Sequence, residues 1–415
     1  MAKPTKVITT LLGAMVTTSL LVLPIQATDT LVEQVDSLTD QQRNLLRVAL
    51  VLDSAQANNS DLREIIQLIR SASSPRAAER ALRSLLPAIA RSQGRKEKQI
   101  APPKTQNSAL GVTKGSSNLH WGQVYASEVE DEESPSIGVW LQVFNDSAVQ
   151  ENRQGVEGFD SDSRGWAVGI DRSIGASLFV GTSLTYIVGN VDSAQFGDDD
   201  NKSVEYNAYA TAAFGKSQSL TASVSYSQNE TDRTRFVVIR TDAETRIIRL
   251  SADIDSTQWR TALTWSGSLG DPLGFSVAPY LTFSHSALTT DDYAENGGGS
   301  LNLFVKNEDE EQTSGSVGLN ASYLIDAGNW LILPSLSVSY EHDFSADPAR
   351  TFSRFNNTPL TFDTRGFSPE KDRWTSGLGL QFLHLNGFGV SLGANFERQD
   401  DYDYTAIILS AHYDL

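Results

Sequence analysis

The chain has 415 residues, no cysteine and a formal net charge of -18. The lack of cysteine excludes disulfides, cysteine-ligated zinc and thiol nucleophiles, and the acidic balance disfavours nucleic acid as a partner. The length admits two domains or one large barrel with an appended segment.

Residues 1–27 have the pattern of a secretory signal peptide. Lys3 and Lys6 precede an apolar stretch from Val7 to Leu23, and Ala27 supplies the small residue before a cleavage site. A transmembrane anchor is the alternative, but threonines and a serine interrupt this short stretch, which favours cleavage. No later run approaches the roughly 18 apolar residues of a spanning helix, so a membrane domain in this chain would be a β-barrel.

Residues 28–100 are predicted to form a small α-helical segment. A capping box at Thr39 and Gln42, a capping Ser60, and Ser74 followed by Pro75 predict three helix starts. The predicted helices lie near residues 40–57, 61–72 and 75–93. Apolar residues recur in them at helical spacing, namely Leu45, Val48, Leu52, Leu62, Ile65, Ile66, Ile69, Ala78, Leu82, Leu85 and Ile89.

The charge of this segment differs from that of the rest of the chain. Residues 39–100 contain eleven Lys and Arg against six Asp and Glu, a net of +5. Residues 101–135 are predicted to be a linker with little regular structure. We interpret the helices as a short passenger or spacer, with a surface-displayed effector or adhesin as the alternative. We hypothesise that residues between about 75 and 135 occupy the pore of an acidic barrel and close it to solutes.

Residues 136–415 repeat one two-faced strand pattern. In the stretch from Trp330 to Asp343, apolar side chains hold the even positions and polar ones the odd positions after Leu333. Trp330 and Tyr340 are separated by roughly 25 Å along a tilted strand, which is the height of the lipid-facing band of an outer-membrane barrel. The inward faces are predicted to carry Glu205, Glu341, Asp343 and Glu397.

The lengths of the connections fix the number of strands. Short turns alternate with long polar loops, as in outer-membrane barrels. The predicted long loops are roughly residues 145–163, 190–203, 229–257, 287–314 and 344–372, with a short last one at 399–403. The stretch from Ser300 to Lys306 alternates like a strand, but counting it would place a long acidic connection among the short turns. We therefore assign it to a loop hairpin and predict an all-β membrane protein with twelve antiparallel strands. Six aromatic residues are predicted to form the membrane girdle: Trp166, Tyr186, Trp259, Trp330, Tyr340 and Trp374.

The region from Ile137 to the C-terminus resembles the autotransporter β-domain, the translocator of type V secretion. The resemblance is carried by Ile137–Leu141, Gly165–Asp171 and, best of all, Ala278–Tyr323. It implies a monomeric twelve-stranded barrel in the outer membrane of a didermic bacterium, surrounded by outer-membrane lipid. It also implies delivery by periplasmic chaperones and insertion by the barrel-assembly machinery through a C-terminal signal, here Tyr413 and Leu415. The family pattern usually ends in Phe, and the usual long passenger is missing.

No catalytic, cofactor or metal site is predicted. The five histidines are scattered without metal-ligand spacing, and Asp198–Asp200 lacks the alternating ligands of a calcium loop. We expect no enzyme. A barrel protease or acyl-transfer enzyme stays open because His342 lies between Glu341 and Asp343 at the outer rim. A passive pore and an adhesin acting through the outer loops also stay open.

Overall fold

The computed structural model describes residues 40–55, 60–86, 137–152, 158–175, 177–193, 197–214, 217–271, 274–306, 308–345, 350–365, 370–400 and 402–415. The predicted signal peptide, residues 1–27, and the predicted linker, residues 101–135, lie outside these residues. No helix among the described residues is long and apolar enough to span a membrane.

Three short helices precede the strands: α1 (Asp40–Ala55), α2 (Ser60–Arg70) and α3 (Pro75–Ser84). The Ser74 hydroxyl accepts a hydrogen bond from the Ala77 amide (3.2 Å), which confirms the predicted cap of α3. α3 ends nine residues earlier than its predicted end near 93. The reason is Pro87, because a residue before proline avoids the helical conformation and proline has no amide to donate.

Twelve strands form a closed antiparallel barrel, which confirms the predicted number and class. The order around the ring follows the chain, and the last strand pairs with the first, placing Val139 opposite Tyr413. The barrel strands are β1 (Ile137–Gln150), β2 (Phe159–Ile174), β3 (Leu178–Ser193), β4 (Gly197–Phe214), β5 (Gln218–Arg240), β6 (Thr245–Gly267), β8 (Phe275–Thr290), β11 (Glu308–Tyr323), β13 (Trp330–Asp343), β16 (Asp372–His384), β17 (Phe388–Gln399) and β18 (Tyr402–Asp414).

Short connections lie at one end of the barrel, the turn end, and long ones at the other, the loop end. Gly175, Gly328 and Gly387 have positive φ in the tight turns, where glycine carries no steric cost. Two short strands, β7 (Leu269–Gly270) and β12 (Ile325–Ala327), extend two hairpins at the turn end.

The long connections contain more strand than predicted. Residues 229–257 were expected to be loop, but β5 and β6 continue to Arg240 and from Thr245 as one hairpin. The strands persist because a ladder of backbone hydrogen bonds needs no lipid-facing apolar side chains. The strands β1 to β4, β8 and β11 also extend into the predicted loops.

A second sheet of four strands, the outer sheet, stands at the loop end and is built from the connections that follow β8 and β13. Its strands are β9 (Tyr293–Ala294), β10 (Leu303–Val305), β14 (Arg350–Phe355) and β15 (Thr361–Arg365). Their order in the sheet is β15-β14-β10-β9. Because β10 pairs with β9 and β14, the structure confirms that Ser300–Lys306 lies outside the barrel wall.

Candidate functional site: the barrel lumen and its outer cap

The two faces of the barrel wall differ as predicted. Apolar side chains that point outward are exposed, among them Leu281, Leu319, Leu336 and Leu378. The inward positions of the same strands are mostly Gly, Ser, Thr, Asn and Gln. The wall therefore has one face suited to lipid and a polar lumen.

Several aromatic rings lie flat against the luminal wall, beside glycines on the next strand. Trp140 faces Gly169, and Tyr209 faces Gly181, in direct register. A β-carbon at either glycine would overlap the neighbouring ring. Trp140 donates to the Tyr209 hydroxyl (3.2 Å), which in turn donates to Asp171 (3.4 Å). Glycine thus lets large rings line the lumen without projecting to its axis.

The lumen is acidic but also contains Arg260 and Arg373, whose inward positions were not predicted. Glu205, Glu341, Asp343 and Glu397 point inward, as predicted. Arg373, from the strand between those of Glu341 and Glu397, bonds to both carboxylates, with 3.2 Å to Glu397. Arg260, on β6, also faces inward. Asp171 adds a further carboxylate, so an excess of negative charge remains in the lumen.

Many luminal polar side chains are almost inaccessible to water. Asn395 is fully buried, and Gln142, Glu205 and Ser410 are nearly so. Eight strands are about the number at which side chains alone can fill a barrel, and wider rings leave a cavity. These wall residues are therefore enclosed although the ring has twelve strands.

The helical segment and the loop-end strands share one hydrophobic core, which we call the outer cap. Leu45, Leu62 and Leu85 of the helical segment are buried with Leu250 of the β6 extension and Phe355 of β14. The predicted apolar helix positions are buried or partly buried, except Ile89, which lies outside the described residues. The helices are therefore docked at the loop end of the barrel, so residues 75–86 lie in the outer cap and not in the pore, where our hypothesis for residues 75–135 had placed them.

One buried ion pair connects the cap to the barrel wall, and a second joins two neighbouring strands of that wall. Arg235 of β5 pairs with Glu295 through two contacts (2.6 and 2.7 Å) and donates to the Ser84 carbonyl at the end of α3. Glu295 also accepts from the Leu303 amide (2.8 Å). Every charged atom of the pair thus faces a partner from another element. This network ties the last helical turn to both sheets.

The second ion pair joins Arg233 to Asp199 at two distances of 3.0 Å. Burial disfavours the charge on Arg233, but Asp199 outweighs this effect and holds the pKa of the guanidinium above its ordinary value. Asp199 points inward in β4 while Asp198 and Asp200 point outward. The three aspartates therefore do not form one calcium loop.

α1 covers the edge of the outer sheet with side chains. The Asn44 amide donates to the Arg365 carbonyl (2.7 Å), and the Asn44 side-chain oxygen accepts from the Arg365 amide (3.1 Å), as a neighbouring strand would. Arg47 donates to the Asp363 carbonyl (3.1 Å). An open strand edge invites pairing with another chain, so these contacts protect the sheet while they hold the helix.

The predicted girdle residues all point outward. Five of them lie at the loop-end border of the apolar outward positions, where Trp166 contacts Tyr186, Tyr340 contacts Trp374, and Trp259 contacts Tyr226. Trp330 lies at the turn end against His384. At the C-terminus, Tyr413 and Leu415 are exposed on the outer surface. Their roles in lipid contact and assembly remain predictions.

His342 does not form a cluster with Glu341 and Asp343, which was the reason to consider a barrel enzyme. His342 points outward and contacts Asp372 (2.7 Å), whereas its chain neighbours Glu341 and Asp343 point into the lumen. Alternation along β13 separates them. Among the described residues, no three His, Asp or Glu side chains are placed to hold a metal ion.

Comparisons with known proteins bear on the barrel. Residues 139–395, more than half of the chain, match the family described as the autotransporter beta-domain. Outer membrane protein A of Rickettsia rickettsii is 21% identical over 263 residues, which are 62% of this chain and 12% of that protein. Outer membrane protein A of Rickettsia conorii is 21% identical over 275 residues, which are 65% and 14%. The chain thus matches only a small part of these curated relatives.

A solved structure matches the fold. The translocator domain of the autotransporter NalP from Neisseria meningitidis covers 74% of this chain, and 99% of that domain is matched, with a TM-score of 0.55 and 16% identity.

Proposed function

Since this chain belongs to the autotransporter β-domain family, we propose that its barrel carries the chain's own helical segment, residues 40–86, to the cell surface and holds it there. The barrel belongs in the outer membrane, as the family match indicates. The segment then serves as a short displayed domain that stays docked.

The positions of two residues support this proposal. Leu86 is buried in the outer cap at the loop end, whereas Ile137 begins β1 at the turn end and accepts from the Leu415 amide (2.8 Å). Short turns of outer-membrane barrels face the periplasm and long loops face outward. We therefore propose that the connection between these two residues crosses the membrane.

Surface display can be tested with an epitope inserted after Ala57, between α1 and α2. We expect intact cells to bind the antibody and added protease to remove the epitope. The matched control is the same epitope inserted in the short turn at Gly328, which should become accessible only after the outer membrane is permeabilised. An epitope at 57 that is protected on intact cells while the protein is folded contradicts the proposal.

We further propose that the connection, residues 87–136, runs through the lumen and closes it. Three features support this: the burial of the luminal side chains, the excess of luminal carboxylates, and the basic residues Arg91, Arg95, Lys96 and Lys98 in the first part of the connection, which precedes the acidic run Glu128–Glu133. The connection is also long enough, because an extended chain spans about 3.3 Å per residue.

Conductance in planar bilayers separates closure by the cap from closure by the connection. Deleting residues 40–86 removes the helices alone, and deleting 40–135 removes both parts, with the export signal kept in each case. We expect the first variant to conduct as little as the full chain and the second to conduct roughly tenfold more or higher, because a twelve-stranded ring without a plug encloses a water-filled channel. Equal conductance of the two variants would contradict closure by the connection.

The remaining parts of the proposal concern assembly and chemistry. We propose that Tyr413 and Leu415 on the last strand are recognised by the barrel-assembly machinery after delivery by chaperones, and that the barrel is a monomer. We also propose that the chain acts without catalysis, since its work is to position another segment.

A further inference from the structure

One face of the outer sheet is basic and aromatic, in contrast with the acidic balance of the chain. The sheet buries Leu303, Val305, Phe355 and Phe362 against the helices, so the other face looks away from the outer cap. That second face, which we call the basic face, carries Phe304, Lys306, Arg350, Phe352, Arg354 and Arg365.

The register of the strands places these groups side by side. Phe304 lies opposite Arg354, and Arg350 lies opposite Arg365. The Arg354 guanidinium carbon is 4.7 Å from the centre of the Phe304 ring, and that of Arg350 is 4.7 Å from the centre of the Phe352 ring. Such stacking fixes the plane of a guanidinium and leaves its N–H edge directed to solvent.

The positive charge of the basic face is not balanced within the sheet. Asp363 is the one carboxylate in β10, β14 and β15, all of which the structure describes. It is already shared by Arg350 (3.0 Å) and Arg47 (2.9 Å). Among the described residues, no carboxylate pairs with Arg354, Arg365 or Lys306. Like charges opposite one another destabilise a sheet, so an anion on this face would relieve repulsion.

We infer that the basic face binds a sulfated polysaccharide chain that reaches the cell from outside. The cationic groups spread over about 10 Å across three strands and about 13 Å along β14, which suits several oxyanions on one chain better than a single phosphate. Guanidinium edges match the oxygens of such groups. Because each ring is already covered by an arginine, stacked nucleic acid bases find no free aromatic surface.

Lipid phosphates of the outer leaflet are the competing source of oxyanions. Tyr340 and Trp374 mark the predicted outer border of the lipid band, and Arg350 and Arg365 are the basic-face residues nearest to them along the chain. Lys306 precedes β11, whose first nine residues lie beyond Val317, the register partner of Tyr340, and the Phe352 carbonyl accepts from the Lys306 amide (3.0 Å). Most of the basic face therefore extends away from the leaflet, which favours a soluble chain.

Binding to immobilised dextran sulfate tests this inference, with uncharged dextran as the surface control and full-length protein folded in detergent. We expect the double variant Lys306→Glu and Arg354→Glu to bind about tenfold more weakly or worse. The matched control, Arg76→Glu with Arg80→Glu, reverses two exposed charges on α3 and should stay within about twofold. Heat-modifiable migration on gels checks that each variant is folded.

If the double variant does not fold, Lys306→Gln with Arg354→Gln provides a milder test, with a loss of a few-fold expected. Equal weakening in the α3 control, or no weakening in the basic-face variants, overturns the inference. So does a protein that binds vesicles of lipopolysaccharide but not dextran sulfate, because the occupant would then be the membrane.

Discussion

Replacing Arg235 by methionine is expected to destabilise docking of the helical segment by about 3 to 5 kcal/mol, because the change leaves the buried Glu295 without its cation. It also removes the donor to the Ser84 carbonyl. The barrel lies below the site of the change and should assemble normally. The expected result is a folded barrel whose helices open far more often.

Native-state proteolysis at the α1–α2 connection measures this opening. We expect cleavage in Arg235→Met to be faster by more than about a hundredfold, since each 1.4 kcal/mol is a factor of about ten. The control is Arg246→Met, which removes an exposed pair with Glu64 (2.7 Å) worth about 0 to 1 kcal/mol. An equal effect of both variants would mean that Arg235 does not hold the helical segment to the barrel.

A second variant tests whether the pair itself is required. Arg235→Met combined with Glu295→Leu should recover much of the loss, because a buried ion pair can be replaced by apolar groups at little cost. A double variant that opens as readily as Arg235→Met would show that the bond to Ser84, and not the pair, holds the helices.

Placing arginine at Leu336 is expected to reduce barrel stability by about 2 to 4 kcal/mol, because this outward residue is near the middle of the lipid band. It lies between Ala321 and Leu378 in register, midway between the aromatic residues of β13. Folding yield into lipid vesicles at graded urea concentrations measures the change.

Ser335→Arg provides the matched control at nearly the same depth on the luminal face, and Val338→Arg tests a position closer to the border. We expect little loss for Ser335→Arg and a smaller loss for Val338→Arg than for Leu336→Arg. A greater loss for Ser335→Arg would mean that the two faces of β13 are exchanged, which a shift of one residue would cause.

Within the membrane, sequence alone predicted the wall well because lipid imposes one phase of alternation on every strand. The outward residues of β5, such as Leu220 and Val224, are apolar at even positions. On the paired strand β6 they are at odd positions, such as Trp259 and Leu263, and toward the loop end the phase reverses, so that Leu250 and Ile254 are apolar at even, inward positions. An assignment that requires one pattern of alternation along the whole strand treats the region beyond this switch as a polar loop. The switch itself marks the border of the membrane.

The outer cap could not be predicted because its partners are far apart in sequence. The helical periodicity predicted which face of α1 would be buried, but not that Phe355 and Leu250 would cover it. Nothing in the sequence around Arg235 or Glu295 indicates that these charged residues are buried. Their buried pair forms only because two connections and the end of α3 come together in the folded protein. No local spacing in the sequence predicts this contact.

The shared core of the outer cap has a consequence for the direction of export. The helical segment contributes only one part of that core, because the loop-end strands contribute the other part. On the export route that we propose, the helices cannot complete their packing before they cross, and each apolar side chain that arrives outside gains burial that it lacked before. This gain opposes return of the chain through the pore. Docking at the outer cap can therefore favour export without a nucleotide or an ion gradient.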